Sequence, residues 1–282
     1  MKFKKLKSFA KINLSLNVIK KLPNKYHSIE SLVSFVEIFD EIKIKTINKK
    51  NHKIIFFGKF AKGIKKNNTI SKLFYLLEKN HLIGKKKFEI RVKKNIPQKS
   101  GMGGGSMNAA VIFKYLIREK IVNISNLNQR KISDKIGSDV ALGLEKKNSI
   151  LFKNRKIGRT KHRLNLYVLI VMPKFGCSTK DIFSKVNKFS KSIYFKNDKK
   201  LFNLKNLEIS SNNLENIVFK KYGFIKNLNL FLKSLPGVIF TRMTGTGSAL
   251  VAYFKYKYKA KKAGKIFKNK YKGYWYIVSK TI

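Results

Sequence analysis

Four of the five residues from Gly101 to Gly105 are glycine. The segment before them, Lys87 to Lys93, alternates Phe88, Ile90 and Val92 with charged residues, the period of a strand. The segment after them, from about Ser106 to Glu119, predicts a helix. A chain stripped of side chains between a strand and a helix can close its backbone N–H groups on an anion. The helix N-terminus adds partial positive charge to the same place. Phosphate is the natural guest, and Ser106 offers a hydroxyl to a phosphate oxygen or to magnesium. The competing reading is a flexible linker, and it sits poorly between a strand and a capped helix. Other glycine motifs fail. The dinucleotide pattern needs Gly where Ser106 stands and an acid about 20 residues on. The Walker pattern needs Gly-Lys followed by Ser or Thr. The protein-kinase catalytic set is missing.

Strands and helices are mixed along the rest of the chain, and no repeat of 20 to 50 residues is present. Strands are predicted over 9–19, 41–47, 53–57, 149–152, 164–172, 237–243, 248–254 and 274–280, with 28–39 open between strand and short helix. Helices are predicted over 69–81, 126–136, 180–187, 216–222, 224–235 and 257–268, the first capped by Asn68 or Thr69. Lys20 to Lys25 predicts a turn, and 197–205 a polar, basic loop. A basic, linker-like run at 155–163 sets the expected domain boundary, giving 1–158 and 159–282.

The net charge is +50, from 64 Lys and Arg against 14 acidic residues. Such a balance ordinarily points to a polyanion partner. Here only seven of the 64 are Arg, the residue suited to bidentate base and phosphate contacts, and the lysines are scattered. Lys, Asn, Ile and Phe are abundant together while Pro is scarce, which reads as drift in an AT-rich genome. No specific nucleic-acid partner is expected, and a basic nucleic-acid-binding protein is the rival reading. Cys177 is the only cysteine, and the four His show no metal-ligand spacing. The N-terminus has the outline of a signal peptide, but Lys11 and Asn13 break its apolar part and no cleavage site follows. The best apolar run, Leu164 to Met172, is about half the length of a spanning helix. A cytoplasmic protein without a membrane partner is expected, as monomer or homodimer.

Five blocks in order along the chain resemble the GHMP kinases. Pro97 through Ala110 is similar to their central glycine motif, with Met102 for Leu and Met107 for a second Ser. Ala10-Lys11-Ile12-Asn13-Leu14 resembles their N-terminal block. Tyr26-His27 stands where Gly-Tyr-His is usual, with Lys25 for the Gly. Gly137-Ser138-Asp139-Val140 resembles Gly-Ala-Asp-Val, with Ala141 for Pro. Arg242 through Ser248 resembles the third glycine motif. Met107 removes a hydroxyl, which is expected to weaken or rearrange phosphate or magnesium binding.

The resemblance implies a two-domain α/β (α+β) fold: an N-terminal domain like ribosomal protein S5 domain 2, a ferredoxin-like C-terminal domain, and an active site between them. It implies ATP and Mg2+, the metal near Ser106. The ATP and phosphate loop would be Pro97, Lys99, Ser100, Gly101, Met102, Gly103, Gly104, Gly105 and Ser106. Asp139 would be the general base, with Lys11 beside it to keep the carboxylate ionised. Solvated surface charge is the alternative for Lys11, and a helix N-cap that for Asp139. Tyr26-His27 favours a cytidine-bearing alcohol over homoserine or mevalonate, which implies phosphorylation of the 2-hydroxyl of 4-diphosphocytidyl-2-C-methyl-D-erythritol. Asn13 would bind its polyol, Tyr26 would stack on cytosine, and His27 would hydrogen-bond the base edge. Phe183 would close the far side of the ring, or belong to the core. Gly245, Thr246 and Gly247 would shape the substrate side, or form a plain hairpin turn.

Overall fold

The computed structural model describes residues 2–23 and 26–282. The predicted turn at 20–25 and the Lys25 replacement lie partly or wholly outside the described residues. In chain order the elements are β1 (Lys4–Asn13), β2 (Asn17–Lys21), β3 (His27–Ile47), β4 (Lys53–Phe57), α1 (Thr69–Lys79), β5 (Lys87–Lys93), α2 (Gly104–Arg118), α3 (Asn126–Ile136) and α4 (Val140–Gly143). They continue with β6 (Asn148–Leu151), β7 (Ile157–Thr160), β8 (Tyr167–Met172), α5 (Thr179–Ser184), a 3-10 turn (Lys199–Phe202), α6 (Leu204–Ile209), α7 (Leu214–Lys221), α8 (Gly223–Ser234), β9 (Phe240–Met243), β10 (Leu250–Phe254), α9 (Lys257–Lys270) and β11 (Trp275–Lys280). The protein is mixed α/β.

Two compact units form, and they interleave in sequence. The first holds the chain up to Lys11, Ile38–Gln98 and Gly103–Lys146; the second holds Ile12–Glu37, Lys99–Met102 and Lys147–Ile282. A cut after residue 158 leaves three segments of the second unit with the first.

In the first unit, β5 pairs antiparallel with the last third of β3 and parallel with β4. Period-two patterning drives this: Ile42, Ile44, Ile90 and Val92 are buried, while Lys43, Lys45 and Arg91 are not. Helices α1 and α2 bring Leu73, Phe74, Leu77, Ala110, Phe113 and Leu116 to the same core. Asn68 starts α1 through a reciprocal capping box with Ser71.

In the second unit, an antiparallel sheet runs β11-β8-β10-β9. Its inner strand β8 is almost wholly apolar. Leu228 and Leu232 of α8, with Ala260, Ala263 and Phe267 of α9, share a core with Leu169, Val171, Ala252 and Phe254 of that sheet.

Several expectations are corrected. The single strand over 9–19 is two strands, because Leu14 and Ser15 both donate to Leu32 O and Leu16 donates to Ser211 O. The ambiguous 28–39 segment joins 41–47 as one strand of 21 residues. The loop at 197–205 is helical over much of its length, since Asp198 and Asn203 cap turns that bury Phe202 and Leu207. Part of the basic run at 155–163 is strand β7, paired with β6.

Candidate active site

The glycine loop enters α2 through Gly103, whose φ of 67° is left-handed and favours glycine. A Cβ there would stand 3.0 Å from Lys11 Cγ, 3.1 Å from Lys11 Cε and 3.6 Å from Asp139 Oδ2. Three distant stretches of the first unit thus converge on one bare backbone position. Lys11 Nζ lies 3.2 Å from Asp139 Oδ2, with the lysine side chain 4% and the carboxylate 27% exposed. The ammonium is therefore screened little from its partner, while the carboxylate remains reachable from solvent. Asp139 does stand at the N-cap position of α4, but its side chain makes no capping hydrogen bond to that helix.

Around this pair, Ser106 Oγ lies 3.6 Å from where a Gly137 Cβ would be. Gly105 O accepts from Thr69 Oγ1 at 2.7 Å, tying α1 to the first turn of α2. A Cβ on Gly104 would meet Ile96 and the Lys94 ammonium, each at 3.2 Å. Lys94 is ion-paired with the buried carboxylate of Asp40. Asp40 also accepts from the N–H groups of Asn95 (2.8 Å) and Ile96 (2.9 Å) and from Asn108 Nδ2 (3.0 Å). Sequence reasoning missed this floor under the loop. The signal available was Asp40 itself, one of only 14 acidic residues, inside an apolar strand. Pro97 follows Ile96 directly.

Met107 turns into the core, 1% exposed, its sulfur 2.9 Å from a Cβ placed on Gly143. Its effect is packing against α4, and no hydroxyl at this position would face outward from the helix.

In the second unit, Lys99, Ser100, Gly101 and Met102 lie along the other glycine turn. Ser248 donates its N–H to Lys99 O and Ala249 donates to Ser100 O, both at 3.3 Å. Gly101 approaches so closely that a Cβ would fall 1.9 Å from Thr244 O. Thr244 Oγ1 donates to Gly101 O (3.1 Å) and accepts from the Asn13 N–H (3.1 Å). Asn13 Nδ2 donates to Ser31 Oγ at 2.8 Å, and Asn13 Oδ1 lies 3.6 Å from a Cβ on Gly245. Thr246 and Thr179 hydroxyls meet at 3.2 Å, joining the turn to the start of α5.

Helix α5 carries Phe183, which is partly buried against the core and also 5.2 Å, ring to ring, from His27. Phe189, which the sequence did not single out, stacks on His27 at 6.4 Å. Tyr26 is 71% exposed. Burial, and then the nearby Lys21, hold the His27 imidazole below its usual pKa, so its neutral form is favoured. No helix among the described residues is long and apolar enough to cross a membrane.

A glycine loop leading into a helix, with a carboxylate–ammonium pair against its first bend, is an arrangement suited to holding phosphate beside a proton acceptor. Residues 68–146 match the family described as GHMP kinases N terminal domain. A 4-diphosphocytidyl-2-C-methyl-D-erythritol kinase of Pelagibacter ubique (strain HTCC1062) is 48% identical over 278 residues, 99% of each chain. A kinase of the same description from Clostridium perfringens (strain 13 / Type A) is 30% identical, covering 99% of this chain and 98% of its own. Among solved structures, a 4-(cytidine 5'-diphospho)-2C-methyl-D-erythritol kinase superposes with a TM-score of 0.76 at 18% identity, over 98% of this chain and 99% of its own. Homoserine kinase from Cytophaga hutchinsonii superposes at 0.67 with 17% identity, over 100% and 95%. The chain belongs to the GHMP kinases, in the family of the 4-diphosphocytidyl-2-C-methyl-D-erythritol kinases. It is an enzyme, and as a GHMP kinase it uses ATP and acts on a small molecule.

Proposed function

We propose that the protein transfers the γ-phosphoryl group of ATP to the 2-hydroxyl of 4-diphosphocytidyl-2-C-methyl-D-erythritol, in isoprenoid synthesis by the methylerythritol phosphate route. The observation that carries this is the Lys11–Asp139 pair set against Gly103. Two relatives at 48% and 30% identity bear that substrate in their names.

Phosphoryl transfer asks a protein mainly for positioning and charge stabilisation. Asp139 takes the hydroxyl proton as the new O–P bond forms and the bond to the ADP oxygen breaks. Lys11 Nζ, 3.2 Å from that carboxylate, offsets negative charge on the transferring group. Gly103 to Ser106 supply backbone N–H groups at the α2 N-terminus for the phosphates, and Lys99 to Met102 continue the loop. Mg2+ takes oxygen ligands, one or two from protein and the rest from phosphate and water. Ser106 Oγ beside Gly137, two residues before the Asp139 carboxylate, supplies donors of that kind. When bound, the metal would neutralise phosphate charge. On the alcohol side, Tyr26 stacks on the cytosine, and neutral His27 hydrogen-bonds its edge with Phe183 against it. Asn13 and the 245–247 turn face the polyol. The reaction belongs to the cytoplasm in this reading, and no nucleic acid takes part.

The test is an ADP-release assay with the cytidine-bearing alcohol beside homoserine, mevalonate and galactose. Turnover confined to the first is expected. Comparable turnover of another alcohol would reassign the acceptor.

A further inference from the structure

Two consecutive asparagines, Asn212 and Asn213, hold different segments, the first the glycine turn and the second strand β2 and Ser190. The Asn212 amide nitrogen donates to Met243 O and to Gly245 O, both at 2.8 Å, while its Oδ1 accepts from the Leu214 N–H at 3.0 Å. The acceptor at Oδ1 settles which end is which. The side chain is 2% exposed, so water does not substitute for it. Asn213 works through oxygen: its Oδ1 accepts from the Val18 N–H and from Ser190 Oγ, each at 2.8 Å. The backbone of the same dipeptide is fixed by Leu16, which donates to Ser211 O at 2.9 Å and accepts from the Asn213 N–H at 2.8 Å.

We propose that Asn212 is a positioning residue for the alcohol substrate: by capturing both carbonyls it sets the conformation of the Gly245–Gly247 turn. Asn213 holds the neighbouring strand β2 and the Ser190 segment, one residue beyond Phe189. The inference rests on the reading that this turn faces the acceptor.

The two residues separate under the same isosteric change. An aspartate at 213 keeps the accepting oxygen and satisfies Val18 and Ser190 as before. An aspartate at 212 loses both donors and sets a carboxylate against two carbonyl oxygens in a buried place. Asn212→Asp is therefore expected to raise KM for the alcohol by about ten-fold or more, the scale of a lost buried hydrogen bond. KM for ATP and the affinity for ADP stay within about two-fold, since the phosphate loop keeps its own contacts. Asn213→Asp leaves both constants unchanged. A loss of folded protein alone would lower kcat and move neither KM.

Amide hydrogen exchange over 244–249 gives a second reading that needs no acceptor. It should quicken in Asn212→Asp and remain as in the wild type in Asn213→Asp. Asn212→Ser, which retains one donor, serves where the aspartate variant does not fold, and should show the same pattern at smaller size. A wild type inactive on the cytidine-bearing alcohol would remove the functional reading, and the exchange result would still decide the turn. Unchanged exchange in the Asn212 variants, or equal shifts in both KM values, would overturn the inference.

Discussion

Lys11 and Asp139 are separated by 128 positions in sequence, and their charged atoms lie 3.2 Å apart over the side-chain-free backbone of Gly103. The ammonium is almost fully buried and the carboxylate is not. Such a pair sets an accessible carboxylate beside a fixed positive charge, an arrangement that proton transfer from an alcohol can use.

Replacing Asp139 by Asn keeps the shape and removes the proton acceptor. We expect kcat to fall by about 10²–10⁴, with ADP affinity nearly unchanged. Near-normal turnover in steady-state assays would show that the proton leaves by another path.

Gly103→Ala tests the convergence itself. The new methyl group meets the Lys11 stem at 3.0 Å, at a φ that L residues rarely adopt. A loss of about 1–2 kcal/mol from the left-handed backbone alone is expected, together with a large fall in activity. Equal activity and equal urea midpoints would mean that loop and pair are not in contact.

Tyr26 is widely exposed, so its removal leaves the core intact. Tyr26→Ala should raise KM for the cytidine-bearing alcohol and leave that for ATP alone, as loss of stacking would. Parallel rises in both would contradict that role.

The His27 ring has a pKa below the ordinary 6.5, through burial first and Lys21 second. The unfolded chain therefore binds this proton more readily than the native one, so native stability drops as pH falls below 6.5 toward the native value. Melting temperatures between pH 7.5 and 5 should fall more steeply for wild type than for His27→Asn. Identical slopes would exclude the coupling.

The buried Asp40–Lys94 pair supports the loop from below. Lys94→Met leaves the carboxylate without its counter-charge and should cost about 3–5 kcal/mol in urea unfolding. A change under about 1 kcal/mol would mean that Asn108 and the two backbone donors suffice.

Much of this was readable without coordinates where the signal is local. The alternation at 41–47 and 87–93 returned as paired strands, and 126–136 returned as α3 with the same bounds. The cap of α1 could be narrowed to Asn68 or Thr69 because capping is local, and the structure gives Asn68. Asp40, Asn108 and Asn212 were not read as site residues. Each works through partners dozens of positions away or more, and no periodicity marks such a partner.

By itself, the order of residues determined that a bare backbone loop would lead into a helix near Ser106, and the family resemblance it carries marked Asp139, with Lys11 beside it, as the charges worth watching. The loop follows from local chemistry, since glycines strip side chains from the backbone before a helix N-terminus; the two charges follow from the resemblance of their motifs. Only tertiary structure decided that Met107 faces Gly143, that β3 runs unbroken for 21 residues, and that one asparagine amide holds two carbonyls of a turn. Those depend on which surfaces meet after long loops close, and burial and hydrogen bonding settle that among segments far apart in the chain.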